Sequence, residues 1–469
     1  MVLRWKSTKE SQASHTASGR PDSAKKTWDP GASALWILKR RAVWIVGLLL
    51  TTAVSIHGGE NNGLWTLKDC LDLALKQSPL IRSSGLEVQA AQASLRASKG
   101  ALFPRIDLNG LTMKENQPVP YVPAQSARIP AQFSDEFYSW GLYLRLPLYE
   151  GGRLVKQVEI SKMEIEIQSS REKLTLQDVV ANVTNTFNKL LQLKQLRGAQ
   201  EQTVAALEGQ VNNTALLVKT GRTANVELLR IDVQLASEKQ NLIRTVEAIS
   251  RAKDALAFFM GLNKEELKDI DGALKADEGI SGDDIDGLLK SRPDVAVAVK
   301  RVEQGRLKVA AASGRRYHSL SLVGDYGNRA GAAFNDRTEI WEVGLVASIN
   351  LFDGGIISSE IEREKVLLKK AEEELRLTEL KARLEVDSAL SARREAEARL
   401  HVARRAVAQA EEGSRIEGLK YKTGAGTVTD TLLAQSARNL AEANYVQALY
   451  DYNTAIVEFK KATGTIEVK

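Results

Sequence analysis

The stretch LPLYEGGR, residues 146–153, closes an alternating, strand-like segment, and its pattern returns as INLFDGG at residues 349–355. The glycines around both stretches repeat with a single offset of 203 residues. The matched pairs are Gly141 and Gly344, Gly151 and Gly354, Gly221 and Gly424, and Gly261 and Gly464. A fixed internal period indicates that the chain contains two copies of one structural unit.

Upstream of the strands the offset rises to 214 residues, which matches Pro79 with Pro293 and Gly100 with Gly314. The first copy therefore holds eleven extra residues, which fall between Gly110 and Gly141. The segment NQPVPYVPAQSARIPAQF, residues 116–133, lies in this interval and is rich in proline. This composition predicts a loop.

In each copy the residue pattern predicts a helix, two strands, a very long helix and a shorter helix. Apolar and alanine positions step by three and four over residues 67–102, which predicts the first helix. The period becomes two over residues 106–113 and 138–148, which predicts two strands. The apolar face of the last strand in the second copy consists of Trp341, Val343, Leu345, Ala347, Ile349 and Leu351. Such strands have one apolar and one polar face.

A long helix is predicted after each Gly-Gly pair, over residues 153–219 and 356–422, and neither range contains proline. At 1.5 Å per residue each helix would be about 100 Å long. Both end at a Lys-Thr-Gly turn, and shorter helices are predicted to return over residues 226–260 and 429–462. The return helix and the first helix of a copy would each span about 50 Å, so the two placed end to end match one long helix.

The helices carry apolar positions at coiled-coil spacing. In the long helices these are Leu176, Val180, Val183, Phe187 and Leu190, and Leu400, Ala403, Val407 and Ala410. In the return helices they are Val226, Leu229, Val233 and Ala236, and Tyr445, Leu449, Tyr452, Ile456 and Phe459. The pattern predicts that the helices of each copy pack along these seams.

The net charge of +6 comes from the first 58 residues, which hold nine basic and three acidic side chains. The remaining chain holds 56 of each sign, so its composition does not indicate nucleic acid as a partner. Lys39, Arg40 and Arg41 precede an apolar run over residues 42–56, with the small residues Ala53 and Ser55 near its end. This pattern predicts a signal peptide with a long polar leader over residues 1–58. An uncleaved anchor is the alternative.

Four two-faced strands cannot close into a cylinder within one chain. In a bilayer every unpaired edge amide costs several kcal/mol, so membrane strands must form a closed barrel. Two chains would give eight strands with a filled interior, whereas three would give twelve strands and a lumen. The long helices would continue this barrel as a hollow coiled-coil cylinder.

The duplicated unit, the strand-ending Gly-Gly and the Lys-Thr-Gly turn resemble the TolC family of outer membrane efflux proteins. The resemblance covers about residues 64–465. It implies a mainly α-helical fold with a membrane β-barrel: a homotrimer with twelve strands in the outer membrane and a periplasmic α-helical tunnel. It also implies a passive exit duct for efflux or type I secretion, reached from an inner-membrane pump of the RND, ABC or MFS type through a periplasmic adaptor. The family has no enzymatic activity and needs no cofactor.

The resemblance also implies functions for particular residues. Asp430 and its counterpart Glu227 match acidic positions at the pore entrance, and Arg222 lies in the neighbouring turn. Tyr421 matches a tyrosine that links the two hairpins in the closed state, which implies a latch from Tyr421 to Glu227. The turn glycines are Gly221 and Gly424, and the strand-to-helix joints are Gly151, Gly152, Gly354 and Gly355. The chain departs from the family at Gly426, where an arginine is usual, and at Leu433, where a second lumen acid is usual.

Asp430 has a second interpretation, as an acid in the first turn of a helix that the helix dipole favours. The predicted organisation is a first repeat at 64–262, an acidic linker at 263–290 and a second repeat at 291–469. Two other functions remain open at this stage. A periplasmic adaptor would have one helical hairpin rather than two, and an exported coiled-coil scaffold would not need two-faced strands. His318 and His401 are isolated from each other and from Cys70, which disfavours a metal site. The sequence does not indicate the cargo.

Overall fold

The computed structural model describes residues 64–124, 126, 128–276, 285–334 and 337–466. The predicted signal peptide lies outside these residues. The described chain repeats one order of elements twice, with a helical entry, a β-hairpin, a 67-residue helix and a return helix in each half. The duplication read from the glycine spacing is confirmed at the level of whole elements.

The first half opens with α1 (Leu67–Gln77) and α2 (Pro79–Gly100). Thr66 and Asp69 cap α1 reciprocally, since the Thr66 hydroxyl accepts from the Asp69 amide and the Asp69 carboxylate accepts from the Thr66 amide. The prediction of a single helix over residues 67–102 is therefore wrong, since the structure has two helices there. The chain breaks at Ser78 because Pro79 disfavours a helical conformation in the residue before it.

Four antiparallel strands form one sheet in the order β1 (Arg105–Val122), β2 (Gln132–Glu150), β3 (Ser319–Ala330) and β4 (Thr338–Ser348). The loop predicted over 116–133 is wrong at both ends, because β1 continues through Pro118 and Pro120 and β2 begins at Gln132. Proline has no amide hydrogen to donate, and β1 is an edge strand that tolerates this loss. Its pairing with β2 shifts register in this stretch.

The sheet has one apolar face that is exposed in a single chain. Leu108, Leu142, Tyr326 and Trp341 are aligned across all four strands by the pairing register. Their exposed fractions are 69, 42, 46 and 69%. The row next to them on the other face consists of Asp107, Tyr143, Asp325 and Glu342. The predicted two-faced character of the strands is confirmed.

Each hairpin leads into a long helix through two glycines in the left-handed region. Gly151 and Gly152 have φ of +61° and +77°, and Gly354 and Gly355 have φ of +64° and +90°. Residues with a Cβ rarely adopt this conformation. Helix α3 (Arg153–Lys219) starts directly after the first pair.

Helix α3 ends at Lys219, two residues before Gly221, whose φ is +70°. The Arg222 amide donates to the Leu217 carbonyl at 2.9 Å, and the Thr220 hydroxyl donates to the Leu216 carbonyl at 3.1 Å. These bonds satisfy carbonyls that a helix end leaves unpaired. The return helix α4 (Asn225–Met260) follows.

The second half contains α5 (Ile285–Ser291), α6 (Pro293–Gly314), strands β3 and β4, α7 (Ile356–Lys422) and α8 (Val428–Ala462). Helices α3 and α7 have 67 residues each and differ in position by the offset of 203. We refer to α3 with α4 as hairpin 1 and to α7 with α8 as hairpin 2. Among the described helices none is both long and apolar enough to cross a membrane.

The main core lies where α1, α3, α4 and α8 meet. Cys70, Val183, Leu190, Leu256 and Met260 are at most 1% exposed there. The predicted linker also belongs to this region: Ile270 and Leu274 are buried, and the Lys194 ammonium donates to the Ile270 carbonyl at 2.8 Å. The segment from 263 to 276 therefore packs against hairpin 1.

One predicted seam lies on an open face. The seam of α8 is buried, since Leu449, Ile456 and Phe459 are at most 4% exposed. The seam of α4 is not, since Val226, Leu229 and Val233 are 48, 55 and 71% exposed. Helix α8 packs against both α3 and α7, whereas α4 packs mainly against α3. A single chain therefore leaves the apolar face of α4 uncovered.

Candidate pore entrance

The two hairpins are joined near their turns by a small apolar cluster. Leu207 of α3, Ile231 of α4 and Val428 of α8 are 1, 0 and 7% exposed. Tyr421 packs against this cluster as a half-buried side chain. The cluster fixes the relative positions of the two turns, and these turns carry the residues predicted for the entrance.

Glu227 lies in the first turn of α4 and is held by Arg230. The Arg230 guanidinium donates to Glu227 Oε1 at 3.1 Å and to the Thr429 hydroxyl of hairpin 2 at 2.8 Å. Glu227 Oε2 is buried and accepts no hydrogen bond from the described residues. No hydrogen bond of the described residues joins Glu227 to Tyr421, so Glu227 is tied to Arg230 in this conformation.

Asp430 lies in the first turn of α8 and is exposed. The Thr427 hydroxyl donates to Asp430 Oδ2 at 2.7 Å and accepts from the Asp430 amide at 3.1 Å. Thr427 thus caps α8, and Asp430 occupies the first-turn position that the second interpretation gives it. Its carboxylate still faces solvent, so a capping role and a charge at the entrance are compatible.

Basic side chains also lie at or beside the two turns. Arg222 is exposed in the first turn, next to Gly221. Lys420 lies before the second turn, and the adjacent Glu417 raises its pKa, with a smaller contribution from Asp430. The second turn copies the first: Gly424 has φ of +79°, and the Ala425 amide donates to the Lys420 carbonyl at 2.8 Å.

Gly426 also contributes to the second turn. A Cβ there would lie 3.0 Å from Lys420 Cβ and 3.2 Å from the Tyr421 amide nitrogen. A larger side chain would therefore require the end of α7 to shift by a few tenths of an ångström. The turn geometry favours glycine at the position where the resemblance leads one to expect arginine.

A polar cavity of about 480 Å³ separates this cluster from the main core. It lies between the two hairpins, and Gln200, Thr203, Gln234, Glu238 and Asn439 are among its lining residues. The Thr203 hydroxyl donates to Asn439 Oδ1 across it at 3.4 Å. The contact between hairpins inside one chain is therefore apolar at both ends and polar in the middle.

Sequence reasoning missed Arg230, whose guanidinium bridges the first turns of α4 and α8. The signal available was the Glu227–Arg230 spacing of three on a helix, which allows an ion pair. That spacing does not show that the guanidinium also reaches Thr429, because this contact depends on how the hairpins pack.

Comparison with known proteins is consistent with this architecture. A family model described as Outer membrane efflux protein matches residues 70–262 and 285–465, and the chain belongs to this family. It is 22% identical to the outer membrane efflux protein BepC of Brucella suis, over 89% of this chain and 90% of that protein. It is 20% identical to the proteases secretion protein PrtF of Dickeya chrysanthemi, over 92% of this chain and 93% of that protein.

The crystal structure of the outer membrane protein VceC from Vibrio cholerae has the same fold. It superposes with a TM-score of 0.72 at 19% identity, over 85% of this chain and 96% of that one. The predicted family, outer membrane location and channel class are thereby confirmed. The adaptor and scaffold alternatives are set aside, since the match covers both repeats.

Proposed function

We propose that three copies of this chain form a passive exit duct in the outer membrane, which receives its cargo from an inner-membrane pump through a periplasmic adaptor. The observation that carries the proposal is the four-stranded sheet with two unpaired edges and an exposed apolar row. In lipid such edges must be paired, and pairing β4 of one copy with β1 of the next closes them all.

The helices support the same assembly. Hairpins 1 and 2 extend from the sheet with equal lengths, so all turns of a ring would lie at one level. The turns then form the periplasmic entrance, and Asp430 places one carboxylate per copy there. A ring of like charges in a narrow pore attracts cations and resists closing.

The experiment is a planar-bilayer recording of the purified protein. We expect a trimer with discrete single-channel openings and a preference for cations. Asp430→Asn should reduce this preference while keeping the cap, because the asparagine oxygen still accepts from Thr427. Asp254→Asn, at the far end of α4, is the matched control and should leave the reversal potential unchanged. A monomeric protein without channels would refute the proposal.

The latch between Tyr421 and Glu227 is a second part of the proposal. In the described conformation Glu227 Oε2 is an unused acceptor, which is what such a bond requires. We expect the combined change of Tyr421→Phe and Glu227→Ala to raise single-channel conductance. Conductance equal to that of the unchanged protein would remove the latch and leave the duct in place.

A further inference from the structure

A cavity of about 240 Å³ lies between α3, α6 and α7, next to the joint between the sheet and the helices. Its charged lining residues are Arg153, Lys308, Arg315, Glu360, Arg363 and Glu364. Cationic side chains outnumber carboxylates in this lining. A cleft with an excess of one charge concentrates small ions of the opposite charge.

The guanidinium groups of the lining are paired, whereas the ammonium is not. The ion pairs are Arg153 with Glu150, Arg315 with Glu360, and Arg363 with Glu364. Lys308 is exposed and forms no ion pair with a carboxylate of the described residues. The neighbouring carboxylate of Glu164 interacts electrostatically with Lys308, but its two oxygens accept from the Gln168 and Gln304 amides, at 2.7 and 2.8 Å. The cavity therefore offers an ammonium that no carboxylate neutralises by contact.

The pairing register indicates on which side of the sheet the cavity lies. Glu150 at the end of β2 lies opposite Ser319. Ser319 is six residues before Asp325 on β3, so both belong to the polar face of the sheet. The Arg153 guanidinium donates to Glu150 Oε2 and lies on the same side. In a closed membrane barrel the polar face lines the lumen, so the cavity lies on the lumen side of the proposed duct.

The duplication shows that the joint itself does not require these charges. The residue equivalent to Arg153 at the offset of 203 is Ile356. At the offset of 214, Lys308 corresponds to Ser94 and Arg315 corresponds to Ala101. Both repeats form a helix, a hairpin and a long helix here, but only one repeat has cations at these three positions. A structural requirement of the joint would apply to both repeats.

We propose that this cavity binds an anionic group, a phosphate or a carboxylate, that cargo carries through the lumen. The Lys308 ammonium supplies the charge that is not neutralised, and Arg153 and Arg315 supply guanidinium N–H donors that their carboxylate partners leave unused. The inference rests on the proposed duct and assigns a chemical class of cargo group to it. One site per chain gives three around the lumen, at the opposite end of the long helices from Asp430.

Binding of inorganic phosphate to the purified protein in detergent tests the site. We expect saturable binding by calorimetry, and Lys308→Ser should weaken it about tenfold, which is the effect of one charged hydrogen bond. The serine is the residue that the other repeat has at this position, so the fold should tolerate it.

Arg306→Ser is the matched control. It removes the same charge from an exposed position of α6, about 200° around the helix from Lys308 and outside the cavity lining. This variant should bind phosphate as the unchanged protein does. An equal loss of binding in both variants would show attraction by net charge alone and would overturn the site.

Chemical protection gives a second measurement, on the unchanged protein. We expect saturating phosphate to slow acylation of Lys308 by a succinimidyl ester severalfold, as followed by peptide mass spectrometry. Lys365 is exposed on α7 outside the cavity lining and should react at the same rate with and without phosphate. Equal rates for Lys308 in both conditions would overturn the site.

A phospholipid headgroup is the other source of phosphate, and native mass spectrometry distinguishes it. Bound anionic phospholipid that Lys308→Ser removes and Arg306→Ser retains would overturn the assignment to the lumen. A protein that forms channels but binds no phosphate would overturn the site and leave the duct in place. A monomeric protein without channels would instead refute the duct.

Discussion

At the scale of single residues, the joint between β2 and α3 depends on two glycines with different demands. Both have positive φ, but only Gly151 also touches another backbone, at Gly314. Gly152 has open space in place of a Cβ. The positive φ alone explains Gly152, whereas the positive φ and the close approach to Gly314 together explain Gly151.

We therefore predict that Gly151→Ala is far more damaging than Gly152→Ala. The left-handed conformation costs alanine about 1 kcal/mol at either position. At Gly151 the Cβ must also displace the Gly314 carbonyl, so we expect little folded protein. The yield of heat-resistant protein in detergent measures both. Equal yields would show that the joint adapts without strain.

The duplicated copies differ at the buried position of Arg292. Arg292 is 7% exposed, and its guanidinium donates to the Ala462 carbonyl at 2.6 Å and to Glu385 Oε2 at 2.6 Å. Its equivalent at the offset of 214 is Ser78, which is 0% exposed and whose hydroxyl has no partner among the described residues. At this position only the second repeat has a buried charged side chain, and that side chain hydrogen-bonds to two neighbouring helices.

We predict that Arg292→Ala lowers the free energy of unfolding by about 2 kcal/mol, because it removes charged hydrogen bonds from a buried site. Ser78→Ala is the matched change in the first repeat and should be neutral or slightly stabilising, since it removes an unsatisfied hydroxyl. Thermal unfolding in detergent compares them. The prediction fails if the Ser78 variant loses as much stability as the Arg292 variant.

At the scale of elements, the ends of the hairpins near their turns are held by few buried apolar contacts. Ile231 is fully buried between Leu207 and Val428, and the polar cavity lies between this cluster and the main core. Regions with few buried apolar contacts open with a low free energy. The turns are thus held by a local cluster rather than by the whole core.

We predict that Ile231→Ala loosens the turns without unfolding the chain. Removing a buried isoleucine costs about 3 kcal/mol, which the small cluster cannot compensate. Hydrogen exchange should speed up over residues 207–235 and 417–432, while amides near Leu190 keep their rates. Leu216→Ala, at a 62% exposed position on the same hairpin, serves as control. Faster exchange near Leu190 in the Ile231 variant would show that the cluster is not local.

The elements also show how far sequence reasoning reaches. The bounds of α3 and α7 could be predicted because an unbroken apolar period ends at glycines on both sides. The course of β1 through Pro118 and Pro120 could not, since the tolerance of an edge strand for proline depends on which strand is the edge. The side to which the apolar seam of α4 points could not be predicted either. The spacing of apolar residues shows that a helix face is apolar, but it does not show which helix covers that face.

At the scale of the whole molecule, the register of strand closure follows from the pairing inside the chain. Arg145 of β2 lies opposite Val323 of β3. The equivalents of these residues are Ser348 of β4 and Asn109 of β1, which lie on the two edge strands. If copies join as the repeats do, Ser348 faces Asn109 of the next copy.

We predict that Ser348→Cys combined with Asn109→Cys forms disulfides between copies in the assembled protein. Glu342→Cys combined with Asn109→Cys is the control and should not, because six residues of extended strand place it about 20 Å away. Non-reducing gels of outer membrane fractions give the result. Bands from the control pair alone would mean that the closing register is shifted.

The predicted entrance residues show what sequence reasoning cannot reach at the scale of the whole molecule. Sequence placed Asp430 and Glu227 near the turns, and the structure finds them in the first turns of α8 and α4. Their partners Thr427 and Arg230 lie three residues away in sequence, whereas the contact from Arg230 to Thr429 of the other hairpin emerged only from the packing of the hairpins. A position relative to a turn is local information, whereas a partner across two hairpins is not.

The difference between the two hairpins has a further consequence for the proposed trimer. Hairpin 2 carries an open groove between α7 and α8 that is lined mainly by alanine, whereas polar side chains line much of the cavity between the two hairpins of one chain. Six hairpins in such a ring would be nearly sixfold in outline and threefold in surface chemistry. A helical partner that fits one kind of groove would then bind at three positions rather than six, which would set its stoichiometry.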